Sequence, residues 1–586
     1  MKKATGISRR SFLTGAAATG AAAATMGLAA CSPSSSTSDA GSSASSDDAT
    51  STSTSSSSGD WLGADPGITD DDVTEEVTAD VVVVGCSDAG AIAVRSAVEA
   101  GASVVVIEKS ASLNSQGGDC ALINGDVEAL YGRDDLDVDE IVETHQMESA
   151  YHTKAAIMKR YAEEMSDVFD WIIEADPDVY IASETFEEIS DDVVDHAIVP
   201  ARYPLPDPDY DYHNDVVPTY PATVQFQSLL TMLTCNLELA KSEGDVTEYY
   251  GHFAEQLIME DGACVGVYAR NAETGGYLKA TANSGVILCT GDYSSNTDML
   301  QEFAPETIDN GIVTLWVNTD VEGNMTNTGD GHKMGVRAGA KMQQWHAPMI
   351  HHMGGSAGAD GRGVMGINGY LQLNLQGKRF MNEDVPGQQI ENQLELQPQK
   401  TSYQFFDSAW GEQVSLFPAA HGVVCYYSEA DETTSINQRC QGDIDAAVED
   451  GRALTADTIE ELLAQIEDMD TDTALASIER YNELCAAGVD EDFGKMARRM
   501  LPLENPPYYA VKFEPNMMLV CCGGLESDEE CHTYDENDEI IPGLYVAGNV
   551  QGNRFAVQYP ISLCGLSVGM AMFYGYVAGQ NAAAGV

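Results

Sequence analysis

Residues 78–110, "TADVVVVGCSDAGAIAVRSAVEAGASVVVIEKS", decide the fold of this chain. The β-branched run at residues 80–84 is typical of a buried parallel strand. Residues 89–100 repeat apolar side chains at helical spacing, and residues 103–107 predict a second strand. Strand, glycine turn, helix, strand and then an acid, Glu108, predict the βαβ unit that binds a dinucleotide. In such a unit Glu108 accepts a hydrogen bond from a ribose hydroxyl.

The glycine fingerprint of this unit lacks its second glycine. Gly85 and Gly90 occupy the first and third positions, but Ser87 stands where a missing Cβ would let the backbone approach a pyrophosphate. Asp88 is unfavourable beside it, because an acid partly cancels the attraction of the helix N-terminus for phosphate. Ala89 occupies the last position of a nucleophile elbow, which requires glycine, so that alternative fails.

Composition narrows the possible partners. The chain has 586 residues, 44% of them hydrophobic, and 93 Asp and Glu against 29 Lys and Arg, for a formal charge of −64. Such a charge disfavours nucleic acid and acidic ligands and favours basic proteins. A solvated acidic surface is the preferred explanation of most of this charge. We therefore predict no nucleic-acid partner.

The thirteen cysteines form no regular framework. No C-x-x-C or C-x-x-C-H occurs, so covalent haem and the common cysteine-spaced metal motifs find no support. Cys521, Cys522 and Cys531 are the one cluster. Buried thiols explain it best, and iron–sulfur ligation stays open as the alternative.

The N-terminus predicts export. Residues 8–13, "SRRSFL", followed by an Ala/Gly-rich stretch at 14–30, match a twin-arginine signal, and residues 28–31, "LAAC", match a lipobox with Cys31 as the lipidated residue. A plain cleaved signal or a short membrane helix are the alternatives. We predict a signal peptide at 1–31, a Ser/Thr/Asp-rich tether at 32–74, and a mature protein anchored to the outer face of the cell membrane through Cys31.

Four later segments identify a family. Residues 114–124, "NSQGGDCALIN", 285–300, "GVILCTGDYSSNTDML", 326–342, "TNTGDGHKMGVRAGAKM", and 541–553, "IPGLYVAGNVQGN", resemble in order and spacing the FAD-binding segments of the fumarate reductase and succinate dehydrogenase flavoproteins. The resemblance covers roughly residues 78–586. It implies bound FAD and an α/β fold, a dinucleotide-binding (Rossmann-like) FAD domain interrupted by an α+β capping domain. The implied limits are 75–342 and 517–586 for the FAD domain and 343–516 for the capping domain.

The same resemblance implies which residues contact FAD. They are Gly85, Ser87, Asp88, Ala89, Gly90, Glu108, Lys109, Ser115, Gln116, Gly117, Gly118, Thr290, Gly291, Asp330, Gly548, Asn549, Ile561 and Ser562.

The catalytic residues are also implied by resemblance. Residues 377–383, "GKRFMNE", match the segment that carries the proton-donating arginine of fumarate reductases, which implies that role for Arg379. The alternative is that Arg379 pairs with Glu383 and braces the capping domain. His346 lies near where the family keeps a substrate-contacting histidine. With His351 and His352 it could also suggest a metal, but a carboxylate or cysteine at ligand spacing is missing, so we predict none.

Two departures argue against fumarate as the substrate. Val520 replaces a histidine and Tyr559 replaces the arginine that clamps a carboxylate, so the charge-assisted bonds that hold a dicarboxylate are absent. Residues 553–579 resemble instead the last segment of ketosteroid dehydrogenases, whose Tyr-Pro tyrosine bonds a ketone oxygen, and exported flavin reductases of the cardiac-glycoside-reductase type. Leu563 stands where those dehydrogenases have glycine. Tyr559 is therefore implied to polarise a carbonyl, and a packed aromatic is the alternative.

The resulting hypothesis is an exported FAD-dependent oxidoreductase of anaerobic respiration. It reduces a carbon–carbon double bond conjugated to a carbonyl, with hydride from N5 of reduced FAD and a proton from Arg379. A separate cytochrome supplies the electrons. The alternatives are a dehydrogenase of the ketosteroid type working in the desaturating direction, or a flavin lipoprotein that only transfers electrons.

Overall fold

The computed structural model describes residues 61–131, 134–182, 189–200, 218–315, 317–350, 354–356, 363–365, 369–385, 387–413, 416–417, 436–515 and 517–586. All of them belong to one compact unit, Ser57–Val586. The predicted signal peptide, Cys31 and most of the predicted tether lie outside these residues. Within them, no helix has the length and apolar character needed to cross a membrane.

The central sheet confirms the predicted α/β class. Its parallel core runs in the order Ile540–Val546, Tyr277–Leu288, Val73–Val84, Val104–Glu108, Val246–Tyr250. His532–Tyr534 adds an antiparallel edge, and the antiparallel strands Ala263–Asn271 and His252–Glu260 extend from Tyr277–Leu288.

The predicted βαβ unit forms. Its first strand begins at Val73 rather than at residue 80, because it pairs with Tyr277–Leu288 from its first residue. The helix spans Asp88–Glu99, and it packs closely on the C-terminal helix Leu566–Ala584. A Cβ at Gly575 would lie 2.3 Å from Ala89 O, so glycine permits this approach.

Part of the predicted tether packs against this sheet. Ile68 is buried, and its N–H donates to Gln256 Oε1 at 2.9 Å. The Trp61 ring contacts Phe303 at 5.1 Å between centroids. The ordered part of the chain therefore begins before residue 75.

A second layer covers one face of the central sheet. A four-stranded sheet has the order Asp119–Ala121, Thr223–Phe226, Ala197–Pro200, Tyr180–Ile181. The helices of this region are Asp126–Leu130, Val138–Glu148, Ala155–Ile173 and Leu229–Glu243. Their apolar side chains share one core with the helix of the βαβ unit.

The capping region has its own antiparallel sheet. The strand order is Leu371–Asn374, Ser402–Asp407, Tyr508–Phe513, Ala453–Ala456, with a separate apolar cluster on each face. Its helices are Gly387–Leu394, Trp410–Gln413, Ile436–Glu449, Ile459–Leu463 and Thr471–Ala487. An α+β insertion therefore lies between the two parts of the predicted FAD domain.

Shorter elements connect these regions. Met517–Cys522 pairs with Val313–Thr314 and with Ala347–Ile350, so a strand from the predicted capping segment joins one from the second FAD segment. The exact domain limits stay a prediction. The remaining elements are the pair Gly354–Gly355 and Val364–Met365 and the helices Thr297–Phe303, Pro305–Asp309 and Asp330–Arg337.

Candidate active site

One cleft opens at the carboxyl ends of the parallel strands. Strands Val73–Val84 and Val104–Glu108 end at it, and the segment after Tyr277–Leu288 forms another wall. Open α/β sheets bind ligands at this edge. The predicted FAD residues that line the cleft are Gly85, Ser87, Glu108, Lys109, Gln116, Thr290, Gly291 and Asp330.

The two glycines of the fingerprint have a steric reason. Gly85 has φ +96°, and a Cβ there would lie 2.3 Å from Cys289 O. A Cβ at Gly90 would lie 2.0 Å from Gly85 O. A side chain at Gly85 would collide with the backbone that follows strand Tyr277–Leu288, and one at Gly90 would push the helix away from the end of its strand, so both glycines shape the cleft without needing to contact a ligand.

Asp88 is the first residue of the helix that faces the cleft. Its Oδ1 accepts from Gln116 N–H at 3.3 Å and from Ser87 Oγ at 3.4 Å. Burial raises the pKa of Asp88 to about 7. The acid is therefore partly protonated at neutral pH, which weakens its repulsion of a pyrophosphate at the helix N-terminus.

Glu108 and Lys109 lie where the sequence predicts them. Both Glu108 oxygens accept backbone N–H bonds at 2.7 Å, from Cys86 and from Ser110, which fixes the carboxylate at the end of its strand. The remaining lone pairs can accept from a ribose. Lys109 Nζ pairs with Asp330 Oδ2 at 2.6 Å across the cleft.

Thr290 supplies an observation that fits FAD. Its Oγ1 is buried at the cleft wall and has no hydrogen-bond partner among the described residues. A Cβ at Gly331 would lie 2.0 Å from this oxygen, so the space beside it depends on glycine. Three features of the cleft fit a bound dinucleotide: the Thr290 hydroxyl without a partner among the described residues, the Glu108 carboxylate fixed at the end of its strand, and a helix N-terminus that glycine allows to approach the strand closely.

The other predicted FAD residues lie beyond the lining of this cleft. Gly90 approaches the end of the first strand, Gly117 lies beside the C-terminal helix, and Gly118 approaches strand Thr223–Phe226. The Cβ position of Gly117 lies 3.0 Å from Val568, and that of Gly548 lies 3.2 Å from the Cβ of Ala89. Gly548 therefore lies close to the N-terminus of helix Asp88–Glu99.

Ile561 and Ser562 contact an acid that the sequence analysis missed. Glu148 accepts from Ile561 N–H at 3.3 Å and from Ser562 Oγ at 2.6 Å. Burial raises the pKa of Glu148 to about 7. No motif marks Glu148, which ends helix Val138–Glu148 far away in sequence.

Tyr559 is a buried residue close in sequence to Ile561 and Ser562, and its hydroxyl can donate a hydrogen bond. Its side chain stacks on Phe555 with centroids 5.0 Å apart, and its oxygen accepts from Ser567 N–H at 2.8 Å. Among the described residues, no acceptor takes its hydroxyl hydrogen. Burial raises the pKa of Tyr559 well above its usual range, so the phenol stays protonated and can donate.

Arg554 lies close by and was not predicted. It is 1% exposed, and its Nη2 donates to Asn549 Oδ1 at 2.8 Å. Burial lowers the pKa of Arg554. No spacing pattern in the sequence links Arg554 to Asn549. The apolar residues around Arg554 in the sequence were the one sign that its charge is buried.

His346 is enclosed by aromatic rings. Its Nε2 donates to Gln343 O at 3.0 Å, so Nδ1 accepts from the Tyr293 hydroxyl, and Phe303 stacks at 4.5 Å. Burial lowers the pKa of His346 to about 4. Both ring nitrogens are used within the protein. The contacts thus favour a packing role, and substrate binding by His346 stays a prediction without structural support.

Arg379 lies between two carboxylates in the capping region. Its guanidinium donates to Glu383 at 2.7 and 2.8 Å and to Asp490 at 2.9 and 2.8 Å. Burial alone would lower the pKa of Arg379, but the bonds and charges of both acids outweigh it and raise the pKa above its usual range. A guanidinium held in this way is a poor proton donor. The contacts favour the alternative in which Arg379 braces the capping domain.

A family comparison decides the cofactor. The model of the FAD binding domain matches residues 80–568. The chain belongs to this family. The match confirms the predicted FAD, and the cleft residues described above fit that cofactor.

Individual relatives of this FAD-binding protein are distant. The NADH:acrylate oxidoreductase of Vibrio harveyi is 29% identical over 56% of this chain and 30% of that protein. The vinyl phenol reductase of Lactiplantibacillus plantarum is 28% identical over 55% of this chain and 65% of that protein. The chain thus spans less than two thirds of either relative.

A solved structure supports the fold. The 3-ketosteroid-Δ4-(5α)-dehydrogenase of Rhodococcus jostii RHA1 superposes with a TM-score of 0.64 at 21% identity, over 87% of this chain and 97% of that one. The two-part FAD domain with its insertion is therefore a known architecture.

Metal ligation finds no support in the described part of the chain. No group of three or more His, Cys, Asp or Glu side chains there could hold an ion, and Cys521, Cys522 and Cys531 are buried free thiols. His351 and His352 lie outside the described residues.

Five polar residues that line the cleft were not among the predicted FAD contacts: Asn114, His252, Asn318, Thr326 and Asn327. Three of them, Asn114, Thr326 and Asn327, belong to segments that resemble FAD-binding segments. His252 and Asn318 lie outside those segments, although Asn318 Nδ2 donates to Ser115 O at 3.1 Å and so contacts a predicted FAD segment.

Proposed function

We propose that this protein is an FAD-dependent reductase of carbon–carbon double bonds conjugated to a carbonyl group. The observation that carries the proposal is the bonding of Tyr559. Because its oxygen accepts from Ser567 N–H at 2.8 Å, its hydroxyl hydrogen is left to donate to a substrate oxygen. A phenol bonded to the carbonyl draws electrons from the conjugated double bond and stabilises the enolate. Bound FAD would supply the hydride.

The substrate that we propose is not a dicarboxylate. Val520 is buried in strand Met517–Cys522, and Tyr559 is uncharged, so neither position that differs from fumarate reductases offers a cation. Charge-assisted bonds are the strong ones for a carboxylate. An enone or another uncharged conjugated carbonyl suits these side chains better.

The names of two relatives support double-bond reduction. One is an oxidoreductase of acrylate and the other a reductase of vinyl phenol. Both are similar to this chain over little more than half its length, so the activity is our proposal for the whole protein.

We also propose a lipid anchor and a separate electron donor. The lipobox at Cys31 supports the anchor, and the net charge of −64 supports docking to a basic redox protein. Labelling with a radioactive fatty acid tests the anchor, because Cys31→Ala should abolish incorporation. If the variant still incorporates label, the lipid is attached elsewhere; if the original protein incorporates none, the anchor is absent.

An acceptor screen tests the reaction. FAD-loaded protein is supplied with reduced viologen under anaerobic conditions, and viologen reoxidation is followed with enones, unsaturated acids and fumarate. We expect turnover with conjugated carbonyls. If none of them reoxidises viologen, the reductase assignment is wrong; if the oxidised protein instead desaturates the saturated ketones, the dehydrogenase alternative is correct.

A further inference from the structure

Arg554 is a buried cation without a carboxylate partner among the described residues. Its Nε donates to Gln551 O at 3.3 Å and its Nη2 to Asn549 Oδ1 at 2.8 Å, while Nη1 has no partner in the part of the chain that the structure describes. Burying a charge that no opposite charge compensates is strongly unfavourable. Such an arrangement is typical of a site that acquires negative charge when it works.

The buried arginines of the capping region are different. Arg499 pairs with Asp384 at 2.8 Å, and Arg379 pairs with both Glu383 and Asp490. Those guanidiniums are neutralised within the fold. Arg554 has only neutral acceptors, so its charge still acts on its surroundings.

A short chain of hydrogen bonds joins Arg554 to Tyr559. Asn549 Oδ1 accepts from Arg554 Nη2 and also from Ser567 Oγ, at 2.9 Å. The backbone N–H of Ser567 then donates to the Tyr559 oxygen at 2.8 Å. Ser567 lies in the first turn of helix Leu566–Ala584, whose N-terminus carries partial positive charge.

Packing holds the same residues together. The Arg554 guanidinium lies 5.1 Å from the centre of the Phe555 ring, which in turn stacks on Tyr559. Burial raises the pKa of Tyr559, and the nearby charge of Arg554 opposes that rise. The guanidinium and the phenol thus influence each other electrostatically in a site with little water.

We propose that Arg554 is the charge partner of Tyr559: a positioning residue that stabilises the negative charge shared by the phenol oxygen and the carbonyl oxygen bonded to it. This inference rests on the proposed function, in which Tyr559 donates to the substrate carbonyl. As the enolate forms, charge gathers on these two oxygens. Arg554 offsets it through Asn549 and Ser567 and through space, without contacting the substrate.

An enolate mimic tests this role without turnover. Pentafluorophenol is ionised at neutral pH, and its binding to the oxidised FAD-loaded protein can be followed by the change in flavin absorbance. We expect Arg554→Met to weaken binding roughly 100-fold, because a buried charge interaction is lost. Arg554→Lys keeps the charge and should stay within about tenfold of the original protein.

Arg499→Met is the matched control. It removes a buried guanidinium of the same size and breaks the buried ion pair with Asp384, so it should lower the melting temperature and leave pentafluorophenolate binding unchanged. Arg554→Met breaks no ion pair, and Asn549 keeps its bond from Ser567 Oγ at 2.9 Å, so the variant should still bind FAD. A purely structural role for Arg554 would not separate the lysine and methionine variants in this way.

Three results would overturn the inference: Arg554→Met binds the phenolate as the original protein does, Arg554→Lys is as weak as Arg554→Met, or the original protein binds none. A failure of the proposed function looks different. In that case the phenolate binds and responds to Arg554, but no conjugated carbonyl reoxidises the reduced flavin.

Discussion

At the scale of single residues, Arg379 and Arg554 have opposite surroundings. Arg379 makes four hydrogen bonds to two carboxylates, whereas Arg554 has neutral acceptors only. A guanidinium paired with carboxylates mainly stabilises the fold, whereas the positive charge of one that has neutral acceptors still acts on the groups of the site. The contacts of Arg379 therefore favour the bracing alternative, and the proton-donor role implied by the match of "GKRFMNE" stays a prediction.

Replacing Arg379 should affect stability more than chemistry. Arg379→Met removes the cation from buried Asp490 and leaves Glu383 with Lys495 alone, and breaking a buried ion pair typically costs about 3–5 kcal/mol. Urea denaturation followed by circular dichroism measures the loss, with Arg480→Met, an exposed arginine, as the control. A variant of unchanged stability that binds FAD but no longer reduces any acceptor would restore the proton-donor role.

Replacing Tyr559 should affect chemistry more than stability. Tyr559→Phe keeps the stacking on Phe555 and removes the hydroxyl, so we expect normal FAD content and a roughly 100-fold slower reoxidation of the reduced flavin by an enone. Stopped-flow absorbance measures this rate. Tyr249→Phe, whose hydroxyl bonds the exposed Glu75, is the control and should leave the rate unchanged. Equal rates for all three proteins would argue that Tyr559 is only a packed aromatic.

At the scale of elements, local pattern predicted the βαβ unit well. The valine run, Gly85, Gly90 and Glu108 lie within one short stretch, where strand, turn and helix follow from side-chain period and backbone freedom. Glu148 and Arg554 could not be found in this way. Glu148 contacts Ile561 and Ser562, which are distant in sequence, and Arg554 lies in a loop that has no periodic pattern. Only the folded chain brings these contacts together.

The N-terminus of helix Asp88–Glu99 gives a prediction at this scale. In Gly90→Ala the new Cβ would lie 2.0 Å from Gly85 O, so helix Asp88–Glu99 must shift and the cleft must deform. We expect purified protein to lose most of its flavin absorbance. Gly101→Asn is the control, because Gly101 follows the same helix, has φ +94° and has open space around its Cβ position. Full flavin content in Gly90→Ala would contradict this view of the cleft.

At the scale of the whole molecule, buried carboxyls make stability depend on pH. Burial, followed by the charge of Glu395, raises the pKa of Glu391 to about 8, and burial raises that of Glu148 to about 7. Both acids bind their protons more tightly in the folded than in the unfolded chain, where carboxyl pKa values are near 4. The stability that they contribute is therefore present at low pH and is lost as pH rises through 7 and 8.

We accordingly expect a higher melting temperature at pH 6.5 than at pH 8.5. Differential scanning calorimetry of the FAD-loaded protein measures it. Glu391→Gln should show a smaller difference between the two pH values, whereas Glu395→Gln should retain most of it. A melting temperature that rises toward pH 8.5 would mean that these carboxyls are ionised in the folded protein.

Reoxidation of the pre-reduced, FAD-loaded protein by single compounds tests the central claim most directly. Stopped-flow absorbance records the return of oxidised flavin after mixing with a conjugated enone, with its saturated ketone, or with fumarate. We expect the enone to reoxidise the flavin rapidly and the other two to leave it reduced. Reoxidation by fumarate but not by any enone would contradict the roles that Tyr559 and Val520 have in this protein.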